Sequence, residues 1–432
     1  SKSLKEITAK SCPSGAPSKA APLHAAVTPG TTFDDYPVET MNGNYWPKNS
    51  PQRYRGFTSV ASGIQNSINT IAVQTLMAGG VAEAFAFATE KLCLDLEPED
   101  MDRSPLGLGG LHRGLSTIEM AAAYSCFVNK GVYNEPRTYL RVEDGEGNII
   151  LENEGESHVA MKETTAYLMN KMLKNAVAAG TGTQAKFSGM TIAGKTGTTS
   201  DNYDRYFVGY TPYYVAAVWT GYDSPEKISY SGNPAITMWK KVMQKIHEDL
   251  PNKQFSKPTT GLETVEVCLD SGLRPTDACR ADVRGSARVQ TVTVAAGTAP
   301  TESCTMHTLV DYCTEGKCLA GEYCPAESVK QVGVLDYVRE DYGESIKADD
   351  DAYLLVNMQK AVEETGCPVH TQAVVEPEPE PGTDPSTDPN DPNYDPSGGF
   401  GDENMQPEEP VTEPEEPTGE SGDGGDTGWV IH

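Results

Sequence analysis

The sequence predicts an α+β domain that runs into a small cysteine-rich β module and then into a disordered tail. Three observations carry this reading. Helically spaced segments fill the front of the chain and give way to closely spaced β-branched and aromatic runs. Beyond Lys257 the texture changes to short strands and cysteines, with seven of the ten cysteines at or after Cys268. After about Ala373 the chain becomes repeats of Glu-Pro, Asp-Pro and Gly, which cannot bury enough apolar surface to offset chain entropy. The expected segments are 1–27, a divergent or damaged front; 28–256, the α+β domain; 257–372, the cysteine-rich module; and 373–432, the tail.

Taken in order, Thr31 to Phe57 is polar, aromatic and punctuated by proline, as in Tyr36-Pro37 and Trp46-Pro47, and reads as extended loop and short strand. From Ser59 to Met77, Ile64, Ile68, Ile71, Ala72 and Leu76 fall on one side of a helix that Gly79-Gly80 ends. A second helix is expected over Val81–Leu92. Ser116-Thr117-Ile118-Glu119 forms a capping box, in which each of Ser116 and Glu119 satisfies the other's amide, and opens a helix that runs to about Lys130. Leu140–Asn153 alternates around Asp144-Gly145-Glu146-Gly147-Asn148 and predicts a hairpin. Lys162–Ala178 is amphipathic. Strands follow at Thr191–Ala193, Arg205–Tyr210 and Tyr214–Tyr222, with a turn at Thr211-Pro212-Tyr213, and a helix over Ala235–Asp249 closes the domain.

Charge and hydropathy exclude some functions. The formal net charge is -28, but 17 acidic residues lie after Val375, where there is no Lys or Arg. No basic stripe is offered to phosphates, so no nucleic-acid partner is expected. No apolar run is long enough to span a membrane.

Two short motifs carry chemistry. Lys195-Thr196-Gly197-Thr198 sits between predicted strands. There an ammonium can stabilise a substrate carboxylate or lower the pKa of a neighbouring hydroxyl. Gly197 lets a peptide backbone approach as an added strand, and the hydroxyls of Thr196 and Thr198 can bond a carboxylate. Ser67-Ile68-Asn69 lies upstream on a helical segment, where Ser67 can relay a proton and Asn69 can orient an amide or a catalytic lysine. Either motif alone is as easily an ordinary strand or helix face.

Together, in this order, they resemble the penicillin-binding transpeptidase family, whose signature includes Lys-Thr-Gly with Ser-x-x-Lys and a Ser-Asp-Asn element. Ser67–Val73 is similar to the second motif of the bifunctional, class A members. Thr31-Thr32-Phe33-Asp34-Asp35, Tyr45-Trp46-Pro47-Lys48-Asn49, Tyr54-Arg55-Gly56, Gly180-Thr181-Gly182-Thr183 and Tyr206–Pro212 extend the resemblance over about residues 28–250. It implies the penicillin-binding/β-lactamase-like fold and a serine acyl-transfer enzyme that cross-links peptidoglycan stem peptides and is trapped by β-lactams. No metal and no other cofactor is implied. The expected location is the extracytoplasmic face of a bacterial membrane or its cell wall, reached through an N-terminal anchor that this chain lacks.

The family's nucleophile stands in Ser-x-x-Lys, upstream of the segment that begins here at Thr28. In the front of the chain Lys5 follows Lys2, Lys10 follows Ile7 and Lys19 follows Ala16, so none has the spacing, and Ser18 beside Lys19 points to another helix face. An inactive relative, a replaced front or a shifted reading frame each accounts for this. A non-catalytic peptidoglycan-binding scaffold is the rival function, and a β-lactamase a third.

The clustered cysteines read as a disulfide framework, with Cys268–Cys279, Cys313–Cys318 and Cys304–Cys324 as the expected pairs. Zinc, with His307 as a ligand, is the alternative; the cysteines do not form Cys-x2-Cys pairs. His112 reads as a structural loop histidine, and Trp46, Tyr206 and Trp219 as core or cleft wall.

Overall fold

The computed structural model describes residues 27–371 except 42, 200 and 344. The expectations for 1–26, including the search for a nucleophile there, and for the acidic tail lie outside the described residues.

At the centre stands a three-stranded antiparallel sheet in which Arg205–Tyr210 lies between Val215–Thr220 and Ala193–Thr198. All six residues of the middle strand are buried. Its side chains alternate between two cores, as the two-residue period of a strand requires. Tyr206, Val208 and Tyr210 join the large core built by the helices Val60–Asn66, Asn69–Gly79, Thr117–Val128 and Glu163–Ala179. Phe207 joins Ile236, Trp239 and Met243 of the Pro234–Ile246 helix on the other face. Trp239 donates its indole N–H to the carbonyls of Gly209 and Ala216, 3.1 Å each, so its polar atom is satisfied inside the core. A Cβ on Gly209 would meet that indole ring at 2.8 Å, which fixes glycine at this strand position.

Most of the expected elements form. The capping box at Ser116 and Glu119 is complete, and its helix runs Thr117–Val128. The hairpin pairs Arg141–Glu143 with Ile149–Glu152, and the Asp144 carboxylate accepts from the amides of Glu146 and Asn148 to hold the turn. The expected Val81–Leu92 helix is α-helical over Val81–Ala86 and widens to a π-turn over Phe87–Lys91. Two differences bear on the chemistry of the molecule. The helix expected over Ser59–Met77 is broken at Ser67, and the described cysteines form no disulfide.

Behind the sheet domain, Leu262–Cys268 pairs with Val289–Ala295, and His307–Cys313 pairs with Cys318–Leu319 and Val329–Leu335, all antiparallel. A helix not anticipated from the sequence, Leu355–Thr365, follows. These residues belong to one compact unit with the sheet domain. The link is polar. Arg339 bonds Asp34 at 2.8 and 2.9 Å and Asp350 at 2.7 Å. Asp350 in turn accepts from the Phe57 amide at 3.1 Å. Gly56 has φ +77°, and a Cβ there would meet the Asp350 carboxylate at 1.8 Å, so only glycine lets the segment close on the strand.

Candidate active site

The site is assembled by a break in a helix. Ser67 takes a left-handed conformation, φ 58°, ψ 45°, and ends Val60–Asn66; after Ile68 the chain resumes as Asn69–Gly79. Left-handed backbone costs a non-glycine residue free energy, and such positions concentrate where a side chain must be aimed. Here it aims Ser67 at the sheet. Lys195 donates to the Ser67 hydroxyl at 2.8 Å and to the Thr196 carbonyl at 3.0 Å, joining residues 128 positions apart. Lys195 is 1% exposed. A lysine buried this deeply is tolerated only where polar partners meet it, as these do.

The restart of the helix is held by groups from the front of the domain. The Asn49 carboxamide oxygen accepts from the amides of Asn69, 3.0 Å, and Thr70, 3.4 Å. The Asn49 nitrogen donates to Asp35 at 2.6 Å, and the Thr70 hydroxyl donates to the same carboxylate at 2.5 Å. Burial pushes the Asp35 carboxyl above its usual value, although bonds from Thr70, Asn49 and the Arg55 amide pull the other way. The Asn69 side chain donates to the Lys48 carbonyl at 2.6 Å.

On the sheet side, Ala193–Thr198 is an outer strand: Arg205–Tyr210 pairs one edge, and among the described residues no strand pairs the other. An edge beside a buried lysine is suited to receive an extended peptide by main-chain pairing. Thr196 donates to the Thr181 hydroxyl at 2.9 Å. The Thr181 amide bonds the Gln65 carbonyl, and a Cβ on Gly180 would strike that carbonyl at 2.1 Å. The loop thus wedges between the broken helix and the strand. Gly197 faces Tyr206 and Thr198 faces Arg205 across the ladder.

Of the residues singled out from sequence, Ser67 and Lys195 are in contact, and Asn69, Thr196, Gly197 and Thr198 lie on the two segments that carry them. The sequence pattern includes Asp35, Asn49 and Thr181 in its motifs but assigns them no role. Their signal was the polar residue inside each motif, but what each bonds becomes visible only in the fold. The Ser-x-x-Lys spacing occurs at Ser224-Pro225-Glu226-Lys227, in an exposed non-helical segment beyond the sheet, where the one-turn geometry is missing.

The penicillin-binding protein transpeptidase domain family matches residues 95–244, and the C-terminal domain family of penicillin-binding protein 1A matches 258–309. Penicillin-binding protein 1A of Clostridium botulinum is 34% identical over 339 residues, covering 76% of this chain and 40% of that protein. The chain carries a penicillin-binding protein transpeptidase domain. Penicillin-binding protein 1A of Clostridium perfringens is 37% identical over 292 residues, covering 65% of this chain and 35% of that relative. The chain thus spans less than half the length of these penicillin-binding proteins. A crystal structure of penicillin-binding protein 1A from Haemophilus influenzae shares the fold, with TM-score 0.56 and 20% identity over 70% of this chain and 48% of that one.

The cysteines depart from the sequence expectation. The described cysteines are all free thiols. Cys268 and Cys279 are not bridged, nor are Cys313 and Cys318, and Cys304 and Cys324 belong to different clusters. A bridge needs sulfurs about 2.05 Å apart; Cys304 and Cys268 are 3.7 Å apart.

Proposed function

We propose that this chain carries the D,D-transpeptidase activity of peptidoglycan synthesis, serine acyl transfer between stem peptides, at the extracytoplasmic face of the cell. The observation that carries this is the Lys195–Ser67 contact at 2.8 Å beside an open strand edge. Ser67 relays the proton between nucleophile and leaving group, and Lys195 keeps that hydroxyl polarised. Asn69 positions the substrate amide or the partner lysine of the nucleophile. Thr196 and Thr198 bind the terminal carboxylate of the peptide, and Gly197 allows it to lie against the strand. β-Lactams occupy the same place. No described residue supplies the attacking serine with a lysine one helical turn away.

The rival reading is a non-catalytic peptidoglycan-binding scaffold that keeps the cleft. The full chain incubated with a penicillin separates the two by intact mass. A stable adduct, lost or slowed at least about tenfold in Lys195→Met, is expected for a transpeptidase; tenfold corresponds to ~1.4 kcal/mol of transition-state stabilisation. No adduct from folded protein that still binds stem peptides reversibly leaves the scaffold.

A further inference from the structure

The cysteine-rich module places four metal-ligating atoms at one point, twice. Cys268 ends its strand, Cys279 lies in the short helix Asp277–Arg280, Cys304 precedes the next strand and His307 begins it. The Nδ1 of His307 stands 3.5 Å from the sulfurs of Cys268 and Cys279 and 3.4 Å from that of Cys304, and Cys304 is 3.7 Å from Cys268. A tetrahedral zinc with Zn–S of about 2.3 Å and Zn–N of about 2.0–2.1 Å has S···N edges of about 3.6 Å and S···S edges of about 3.8 Å. The sulfurs are far too distant for disulfides and spaced as ligands of one ion. All four residues are buried.

The surroundings complete the site. His307 turns its other nitrogen, Nε2, to Asp282 at 3.1 Å and Asp270 at 3.2 Å. A carboxylate on the far nitrogen fixes the tautomer that leaves Nδ1 free to ligate. Those carboxylates are in turn held by Arg284, 2.6 Å from each, and by Arg288, 2.8 Å from Asp270. The Thr276 amide donates to the Cys279 sulfur at 3.4 Å, as a thiolate needs.

A second cluster, Cys313, Cys324, Cys367 and His370, repeats the pattern with its own residues. His370 Nδ1 is 3.4 Å from Cys313 and 3.5 Å from Cys367, and these two sulfurs are 3.8 Å apart. The amides of Gly316, Gly321 and His370 donate to the sulfurs of Cys313, Cys324 and Cys367. A Cβ on Gly316 would meet the Cys367 sulfur at 2.4 Å, so glycine leaves room for the sulfurs to converge. The helix Leu355–Thr365 has no buried residue. What ties the segment after it to the strands is this cluster. Both histidines follow a ligating cysteine by three positions, Cys304-x2-His307 and Cys367-x2-His370.

We propose that the module holds two structural zinc ions, one on Cys268, Cys279, Cys304 and His307 and one on Cys313, Cys324, Cys367 and His370. Three thiolates and an imidazole favour zinc over hard cations, and a full set of four protein ligands leaves no open position, the mark of a structural site. The ions reinforce a small apolar core: Val267, Val294, Val334 and Leu335 are buried, and a further buried cluster is Cys268, Cys279 and Cys304 themselves. This reading is independent of the transpeptidase chemistry.

The test is the metal and thiol content of the full chain, purified without added metal, by elemental analysis and by alkylation under denaturing conditions. Two zinc ions per chain are expected, with the cysteines alkylated rather than bridged. Cys304→Ser and His307→Gln should each lower the content from two to one. Cys367→Ser and His370→Gln should each do the same at the other site, while Cys93→Ser and Cys318→Ser keep two. If these variants do not fold, the wild-type chain exchanged with Co2+ should show the intense visible bands and thiolate charge-transfer absorption of tetrahedral sulfur ligation. Disulfide masses with no bound metal would overturn the proposal, as would iron in place of zinc or weak octahedral cobalt bands. A loss of one zinc in Cys318→Ser would overturn the ligand set of the second site.

Discussion

The sheet domain and the cysteine-rich module reach a fixed shape by opposite means. In the sheet domain, Trp239, Phe207, Tyr124, Leu76 and Met120 are all but fully buried, and a large apolar core holds helices and strands in register. The module has paired strands with a small apolar core of Val267, Val294, Val334 and Leu335 beside a buried cysteine cluster, backed by the ion pairs of Asp270, Asp282, Arg284 and Arg288. A large domain stabilises itself by area removed from water. A short segment with little such area relies on a few strong, directional contacts, and so concentrates its stability in a handful of atoms. The candidate active-site groups are placed in the first region, where rigidity comes from packing. The second region is bound to the first through Arg339 and through Thr32, which donates to the Leu269 carbonyl at 3.1 Å.

This contrast can be broken in several places. Asp270→Asn leaves Arg288 without its carboxylate and Arg284 and His307 with Asp282 alone, and breaking a buried charge network of this kind costs about 3–5 kcal/mol. Denaturant unfolding followed by a probe in the module should show that loss, and a change under about 1 kcal/mol would mean the ion pairs are incidental. Trp239→Ala empties the second core and orphans two carbonyl partners, for a similar ~3–5 kcal/mol. Its effect should be the larger one on a probe in the sheet.

Between the regions, burial pushes the Asp34 carboxyl up to about 6, outweighing the bonds and attraction of Arg339. Because the folded protein holds this proton more tightly than the unfolded chain, stability should fall as pH rises from about 4 to about 6 and then level off. The swing is up to ~3 kcal/mol. Asp34→Asn should flatten that part of the stability–pH curve, and an unchanged curve would show that Asp34 stays ionised throughout. The smallest effect is expected at the helix cap: Ser116→Ala removes the bond to the Glu119 amide and should cost about 1 kcal/mol, measured by the same denaturant series.

Much of the fold was legible because it is local. The capping box at Ser116 and Glu119, the turn held by Asp144, and the aromatic and β-branched run Arg205–Tyr210 all depend on neighbours within a few residues. The order of Ser67-Ile68-Asn69 and Lys195-Thr196-Gly197 was legible for the same reason. The cysteines were misread because spacing along the chain says little about which sulfurs meet. Cys268 and Cys279 suggested a bridge by proximity, and the repeated Cys-x2-His pairs were the signal that pointed elsewhere.

By itself, the sequence determined most of the helices and strands and the order of the two chemical motifs, since each rests on short-range propensity and periodicity. Only the tertiary structure decided that the helix breaks at Ser67. Apolar spacing through Ile64, Ile68 and Ile71 continues across that point, and the left-handed turn is held by contacts from Asn49, Gly180 and Lys195, far away along the chain. It likewise decided that eight scattered ligands become two clusters. Directional contacts between distant residues exist only after the backbone has been folded to bring them within reach.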